Sequence, residues 1–283
     1  MREADTPQRR RTPQRLGETA CPGKARRAAL SGAAPARIRK AEHVAQQLLC
    51  DIVEARLAPG SSFATEADLL LRFRVSRPTL RESLKLLESQ GVLELRPGPG
   101  GGVITAQPSV SMLAHSLSVY LRLRGIPFIS VLKAREVIEP ALAAEAAVHG
   151  TEKDFEAMAL SIARMKSLGK RGDQDRFLEE NRVFHGLVAR AGGNLVLVAF
   201  WSTISILASG EQHGIQYSMG NRAHVIKAHE GILRACRTRD SAAAAACMAH
   251  HLGSLENLVR ERYQHLLHVP TSVVARPARK TAR

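Results

Sequence analysis

The segment VSRPTLRESLKLLESQGVLELRPGPGGGV, residues 75–103, constrains this chain more than any other. Ser76 is a good helix N-cap, and Pro78 falls in the first turn, where a missing N–H costs nothing. Leu80, Leu84 and Leu87 recur at helical spacing and give that helix an apolar face; Gln90-Gly91 stops it. Val92 to Leu95 reads as a strand, and Pro97 to Gly102 as a hairpin turn into Val103-Ile104-Thr105. Arg77, Arg81 and Lys85 follow i, i+4, i+8, so they share a face that the leucines leave free. A segment that only packs needs no cationic front end. One that docks on a polyanion does.

Two more helices precede it. Ala41, Ala45, Leu48 and Ile52 form a stripe over about 39–55, closed by Leu57-Ala58-Pro59-Gly60. Thr65-Glu66-Ala67-Asp68 has the form of a capping box that opens a short helix through LLLRF. Three helices followed by a two-stranded wing make a winged helix-turn-helix, in which the third helix enters the major groove with its N-terminal residues at the base edges. Ser76, Arg77, Thr79 and Arg81 are the expected DNA contacts, with Arg96 and Gly98 in the wing. From about Ser111 the pattern is helical throughout, with breaks at Gly125-Ile126-Pro127, Gly150-Thr151, Gly169 to Gly172 and Gly192-Gly193-Asn194. The fold class is therefore mainly α, a winged helix-turn-helix at 38–106 joined to an all-α bundle at 110–266.

Charge supports a polyanionic partner. The 283 residues carry 41 basic and 26 acidic side chains, a formal net charge of +15. Part of the excess lies in residues 1–37, and a second basic stretch in 267–283; both lack the apolar content to offset ordering entropy and are expected to be disordered tails. Cys21, Cys50, Cys236 and Cys247 are scattered with no Cys-x-x-Cys pair, which argues against a zinc finger or a disulfide scaffold and fits a reducing cytoplasm. No apolar run approaches a membrane span, and the basic N-terminus leads into no signal-peptide core, so no membrane partner is expected.

These motifs resemble the GntR family of transcription regulators: LAPGSSFATEADLLLRF and the segment after it match its DNA-binding domain. AREVIEPALAAEAA, ENRVFHGLVARAGGNLVL and AHEGILRACRTRDSAAAAACMAHHL resemble the FadR-type, or FCD, ligand-sensing domain. The likeness spans roughly residues 40–265. Ala67 stands where the family usually has an Arg, and Arg74 where it often has a Gly before the Val-Ser-Arg turn; if that position is left-handed, Arg74 costs on the order of 1 kcal/mol.

The resemblance implies a divalent metal at Asn181, His185, His229 and His251, positions usually filled by one carboxylate and three imidazoles. Asn181 and His185 are neighbours on one helical face. The Asn181 amide oxygen brings no charge, which lowers affinity and favours a borderline ion, Zn or Ni, over a hard one. Among 11 histidines, ordinary packed or surface roles are the competing explanation. Arg135 with Glu139 matches the family's Arg-x-x-(Ile/Leu)-Glu helix, read either as an i, i+4 ion pair or as the group that holds an effector carboxylate. The expected protein is a cytoplasmic, ligand-responsive repressor. It binds a palindromic operator as a homodimer, with a metal and a small carboxylic acid effector in the helical half. A metal-dependent hydrolase and a sequence-indifferent DNA-compacting protein are the alternatives.

Overall fold

The structure, a computed structural model, describes residues 36–96, 98, 102–209 and 217–272. Most of the basic N-terminal tail, most of the expected hairpin tip (Pro97 and residues 99–101) and the tail beyond 272 lie outside these residues. The chain divides into two compact units, Met1–Gln107 and Pro108–Arg283.

The first unit contains α1 (Ala36–Ala55), β1 (Ser62–Ala64), α2 (Glu66–Phe73), α3 (Arg77–Ser89), β2 (Leu93–Arg96) and β3 (Gly102–Thr105). Thr65 caps α2 through a reciprocal capping box with Asp68, and Ser76 caps α3 by accepting from Thr79 N. Between them Arg74 is left-handed, at φ 49° and ψ 49°, so the short turn is strained where glycine would be at ease. Leu80, Leu84 and Leu87 are buried against Val44, Leu48 and Leu69, each such side chain contributing about 1.5–3 kcal/mol.

The wing differs from the expectation of two strands. Its sheet has three, in the order β1-β3-β2, all antiparallel, with Leu93 opposite Thr105 and Arg96 opposite Gly102. The added strand, Ser-Phe-Ala, is too short to show alternation and exists because it pairs with β3 some forty residues away. Gly102 makes that approach possible: its φ is +147°, and a Cβ there would lie 2.9 Å from the Ala64 carbonyl oxygen.

The second unit is all helix: α4 (Val110–Leu123), α5 (Phe128–His149), α6 (Glu152–Arg171), α7 (Gln174–Ala191), α8 (Leu195–Leu207), α9 (Met219–Arg237), α10 (Ser241–Arg262) and a 3-10 turn at Gln264–Leu267. Thr151, Asp173, Asn194, Ser218 and Asp240 cap α6 to α10 in turn, so each break read from the sequence begins a new helix locally. The core gathers Phe155, Met158, Phe184, Ile232 and Met248, with α5 packed along α10, and α6 on α7 and α9. Trp201 is buried in the core, whereas Phe200 is 59% exposed. Residues 269–271, assigned to the tail on sequence, pair instead with the entry to α5: Thr271 N and Oγ1 both donate to Ile126 O, and Phe128 N donates to Val269 O. No described helix is long and apolar enough to cross a membrane.

Candidate functional site

Two sets of side chains stand out, one in each unit. On α3, Arg77, Arg81 and Lys85 all face solvent. Arg81 Nε lies 3.1 Å from Glu66 Oε1, a bond made with its side chain still 65% exposed and therefore easily exchanged for a phosphate. Ser76 is exposed at the helix start. Thr79, expected beside it on the DNA side, is 5% exposed, with its hydroxyl 2.9 Å from Ser76 Oγ. Its place is under the cap, where it orients Ser76 rather than offering its own surface. In the wing, Arg96 is exposed with Glu94 at 3.5 Å, and Gly98 has φ +98° in open space, a backbone that L side chains rarely adopt. The left-handed Arg74 turn sets how α2 meets α3.

In the second unit, three histidines from three helices converge. His185 of α7, His229 of α9 and His251 of α10 are buried, at 2%, 0% and 6% exposure. His251 Nε2 is 3.2 Å from His185 Nε2 and 3.3 Å from His229 Nε2, and a ligand atom from each lies within 4.8 Å of the others. Adjacent His250 is exposed, so the 100° helical step sends only one of the pair inward. The ring of Phe184 stacks on His229 with centroids 3.9 Å apart, closing one side. Asn181 stands one turn before His185, lines the same recesses, and its buried Oδ1 has no hydrogen-bond partner.

The electrostatics suit a cation held by nitrogen. Burial, then the neighbouring His251, His185 and Arg135, push His229 well below the ordinary imidazole value; burial, then His185 and Arg135, do the same to His251. Both are therefore neutral, the form that offers a lone pair. The carboxylate of Glu139 orients the third. Its Oε2 is 2.5 Å from His185 Nδ1, and since a carboxylate only accepts, Nδ1 donates, which turns Nε2 toward the centre. Arg135 Nε donates to the other oxygen of Glu139 at 2.5 Å. Burial alone would raise the Glu139 pKa, but Arg135 and His185 outweigh it and hold the carboxyl well below the usual range.

Three convergent imidazole nitrogens and an unpartnered amide oxygen thus fit a divalent ion. Two metal–nitrogen bonds of about 2.0–2.1 Å at a tetrahedral angle place their nitrogens about 3.4 Å apart, close to the two short separations here. The structure also adds one contact and one residue that the sequence did not flag. Glu139 acts on His185 across 46 residues, a relation no local pattern encodes. Tyr217, half-buried and with its pKa pushed up to about 12 by desolvation, lines both recesses beside Arg135, Asn181 and His185; it lies in a connection without periodicity. Arg135 is paired with Glu139 and also lines both recesses.

The chain matches two families described as "Bacterial regulatory proteins, gntR family", over residues 40–103, and "FCD domain", over residues 130–254. It is 27% identical to the Uxu operon regulator of Haemophilus influenzae over 75% of this chain and 79% of that one. It is 26% identical to LutR of Bacillus subtilis, an HTH-type transcriptional regulator, over 74% and 95%. It is also 26% identical to the transcriptional repressor RspR of Escherichia coli, over 75% and 85%. Its fold is similar to that of Streptococcus agalactiae GntR, with a TM-score of 0.59 and 23% identity over 77% of this chain and 99% of that one. With the DNA-binding domain and the effector-binding FCD domain matched in a single chain, and near full-length relatives named as regulators, this protein is a transcription regulator rather than an enzyme and belongs to the FCD branch of the GntR family.

Proposed function

We propose that this regulator binds a two-fold symmetric operator as a homodimer in the cytoplasm, and that a small carboxylic acid bound in the helical unit controls its grip. The observation that carries the reading is the pairing of a solvent-facing arginine row on α3 with a buried three-imidazole centre under an Arg135-lined recess. Arg77 reads guanine or phosphate, Ser76 and Arg81 flank it, and Thr79 holds the cap; Arg96 and Gly98 bring the wing to the backbone.

Asn181, His185, His229 and His251 would hold Zn²⁺ or Ni²⁺, which supplies a Lewis-acid anchor for an effector oxygen. Around that anchor the protein's own groups do the positioning: Glu139 fixes the His185 tautomer, and Arg135 presents positive charge to the recess that Tyr217 borders. Ligand acts only through unequal affinity for DNA-competent and DNA-incompetent arrangements. Repression is the sign we assign, by analogy with RspR.

A homodimer is supported by α8, whose sequence LVLVAFWSTISIL is apolar on nearly every side. A helix of that kind belongs in an interior, yet Leu195 and Phe200 are 80% and 59% exposed, and α4, which packs on α8, exposes Leu113, Tyr120 and Leu123.

The test is a mobility-shift assay at fixed salt, with duplexes selected from a random pool. Arg77→Ala is expected to abolish the preference for the selected sequence; unchanged affinity rules out the DNA-reading role of α3.

A further inference from the structure

Two further histidines stand at the entrance to the imidazole centre. His224 of α9 is exposed, yet it lines the recess that Asn181, His185 and His251 also line, so that recess runs from solvent to the buried nitrogens. The helical step that turns His250 of α10 away from the centre turns it toward His224, and their ring centroids are 6.2 Å apart with the planes at 44°. Ser254, one turn beyond His250, lines the same recess and lies 3.4 Å from His224 Nε2. Its hydroxyl already donates to His250 O at 2.9 Å, so it holds His224 only weakly. Imidazoles that share one ion through bonds of about 2.0–2.1 Å have centroids about 5 Å apart. The inner three already stand at 4.8 to 5.1 Å. His224 and His250 are about 1 Å wider, a gap that rotation of two exposed side chains closes.

We propose that His224 and His250 form an outer site for a borderline divalent ion, Zn²⁺ or Ni²⁺, which takes the ion from solvent and passes it inward along the recess. The proposal rests on the reading of the inner centre as metal-binding and adds a second site for the same ion. Donor type and donor number both suit it. Imidazole nitrogen selects borderline ions over hard ones. Two protein ligands leave the remaining coordination positions to water, so the outer ion is held loosely enough to move on, whereas three imidazoles with the Asn181 amide oxygen hold it more firmly. An ion held at the entrance meets the centre at an effective concentration on the order of millimolar, far above that of a dilute free ion.

The experiment compares the full-length, metal-free native chain with the full-length double variant His224→Gln, His250→Gln. Calorimetric titration with Zn²⁺ counts the ions bound, and stopped-flow transfer of Zn²⁺ from a chromophoric chelator times the filling of the inner centre. The native chain is expected to take one tight and one weaker ion. The variant loses the weaker ion, fills the inner centre to the same final occupancy, and does so about tenfold more slowly at dilute Zn²⁺. His250→Gln alone, at a position that does not line the recess, gives the same loss, and the metal-free Tm of both variants matches that of the native chain. A weaker ion retained by the double variant overturns the outer site. An unchanged filling rate after its loss overturns the proposal too, because the ion is then held but not passed inward. A native chain without the tight ion overturns the reading beneath it, whereas a tight ion kept with no weaker one removes the outer site alone.

Discussion

The arginine row and the imidazole centre solve opposite problems. Arg77, Arg81 and Lys85 stand in solvent with at most one exchangeable partner, so their charge is available to DNA and contributes little to holding the unit together. In the helical unit Arg135, Glu139, His185, His229 and His251 are all at least nine-tenths buried, and each is set by the next. A polar chain removed from water is satisfied only as a whole. The comparison teaches that function and stability are separable in the first unit and coupled in the second.

Metal linkage gives the largest expected effect. Zn²⁺ at a thousand times its dissociation constant stabilises the folded chain by about 4 kcal/mol, and chelation removes that. His229→Ala is expected to abolish the Zn²⁺-induced rise in Tm, whereas Arg77→Ala leaves both the midpoint and the rise unchanged. A midpoint that responds equally to both substitutions would break the contrast between the units.

Acidity should also act on the buried unit. His229 and His251 have lowered pKa values in the fold, so below about pH 6.5 the unfolded chain takes up protons that the folded chain refuses. The unfolded state then binds more protons, and the stability of the metal-free protein falls as pH drops from about 6.5 toward the depressed folded values, by up to about 1.4 kcal/mol per pH unit for each imidazole. Glu139, also lowered, acts in the same sense at more acidic pH: its contribution is present above the ordinary carboxylate value and lost as pH falls. Denaturant titrations at pH 7.5, 6.5 and 5.5 in chelator check this. A flat profile would mean that the imidazoles are not sequestered.

A smaller effect sharpens the metal assignment. Asn181→Asp restores charge to the donor set, and about tenfold tighter Zn²⁺ binding, about 1.4 kcal/mol, is expected in competition with a chromophoric chelator. Weaker binding would place Asn181 outside the coordination shell. Smallest is Arg74→Gly, which relieves a left-handed residue in the first unit and should stabilise it by up to about 1 kcal/mol with operator preference kept. A measured destabilisation would mean that the Arg74 side chain contributes more than its backbone strain costs.

Much of this molecule was legible because its signals are local. Ser76 and Thr65 as caps, Pro78 in a first turn, the leucine spacing of α3, and the glycine and asparagine breaks between helices each concern residues within a turn of one another. Helical geometry lets only one of His250 and His251 face the centre, and the burial of His251 beside the exposed His250 decides which. What the chain alone could not decide were relations across the fold. β1 exists by pairing with β3, Thr79 is buried because α3 is pressed into its core, and Glu139 meets His185 only because α5 and α7 pack together. Periodicity says which face of a helix is buried; it does not say which neighbour that face will find. Tertiary packing makes that choice, because a buried carboxylate or imidazole is tolerated only where another helix delivers its partner.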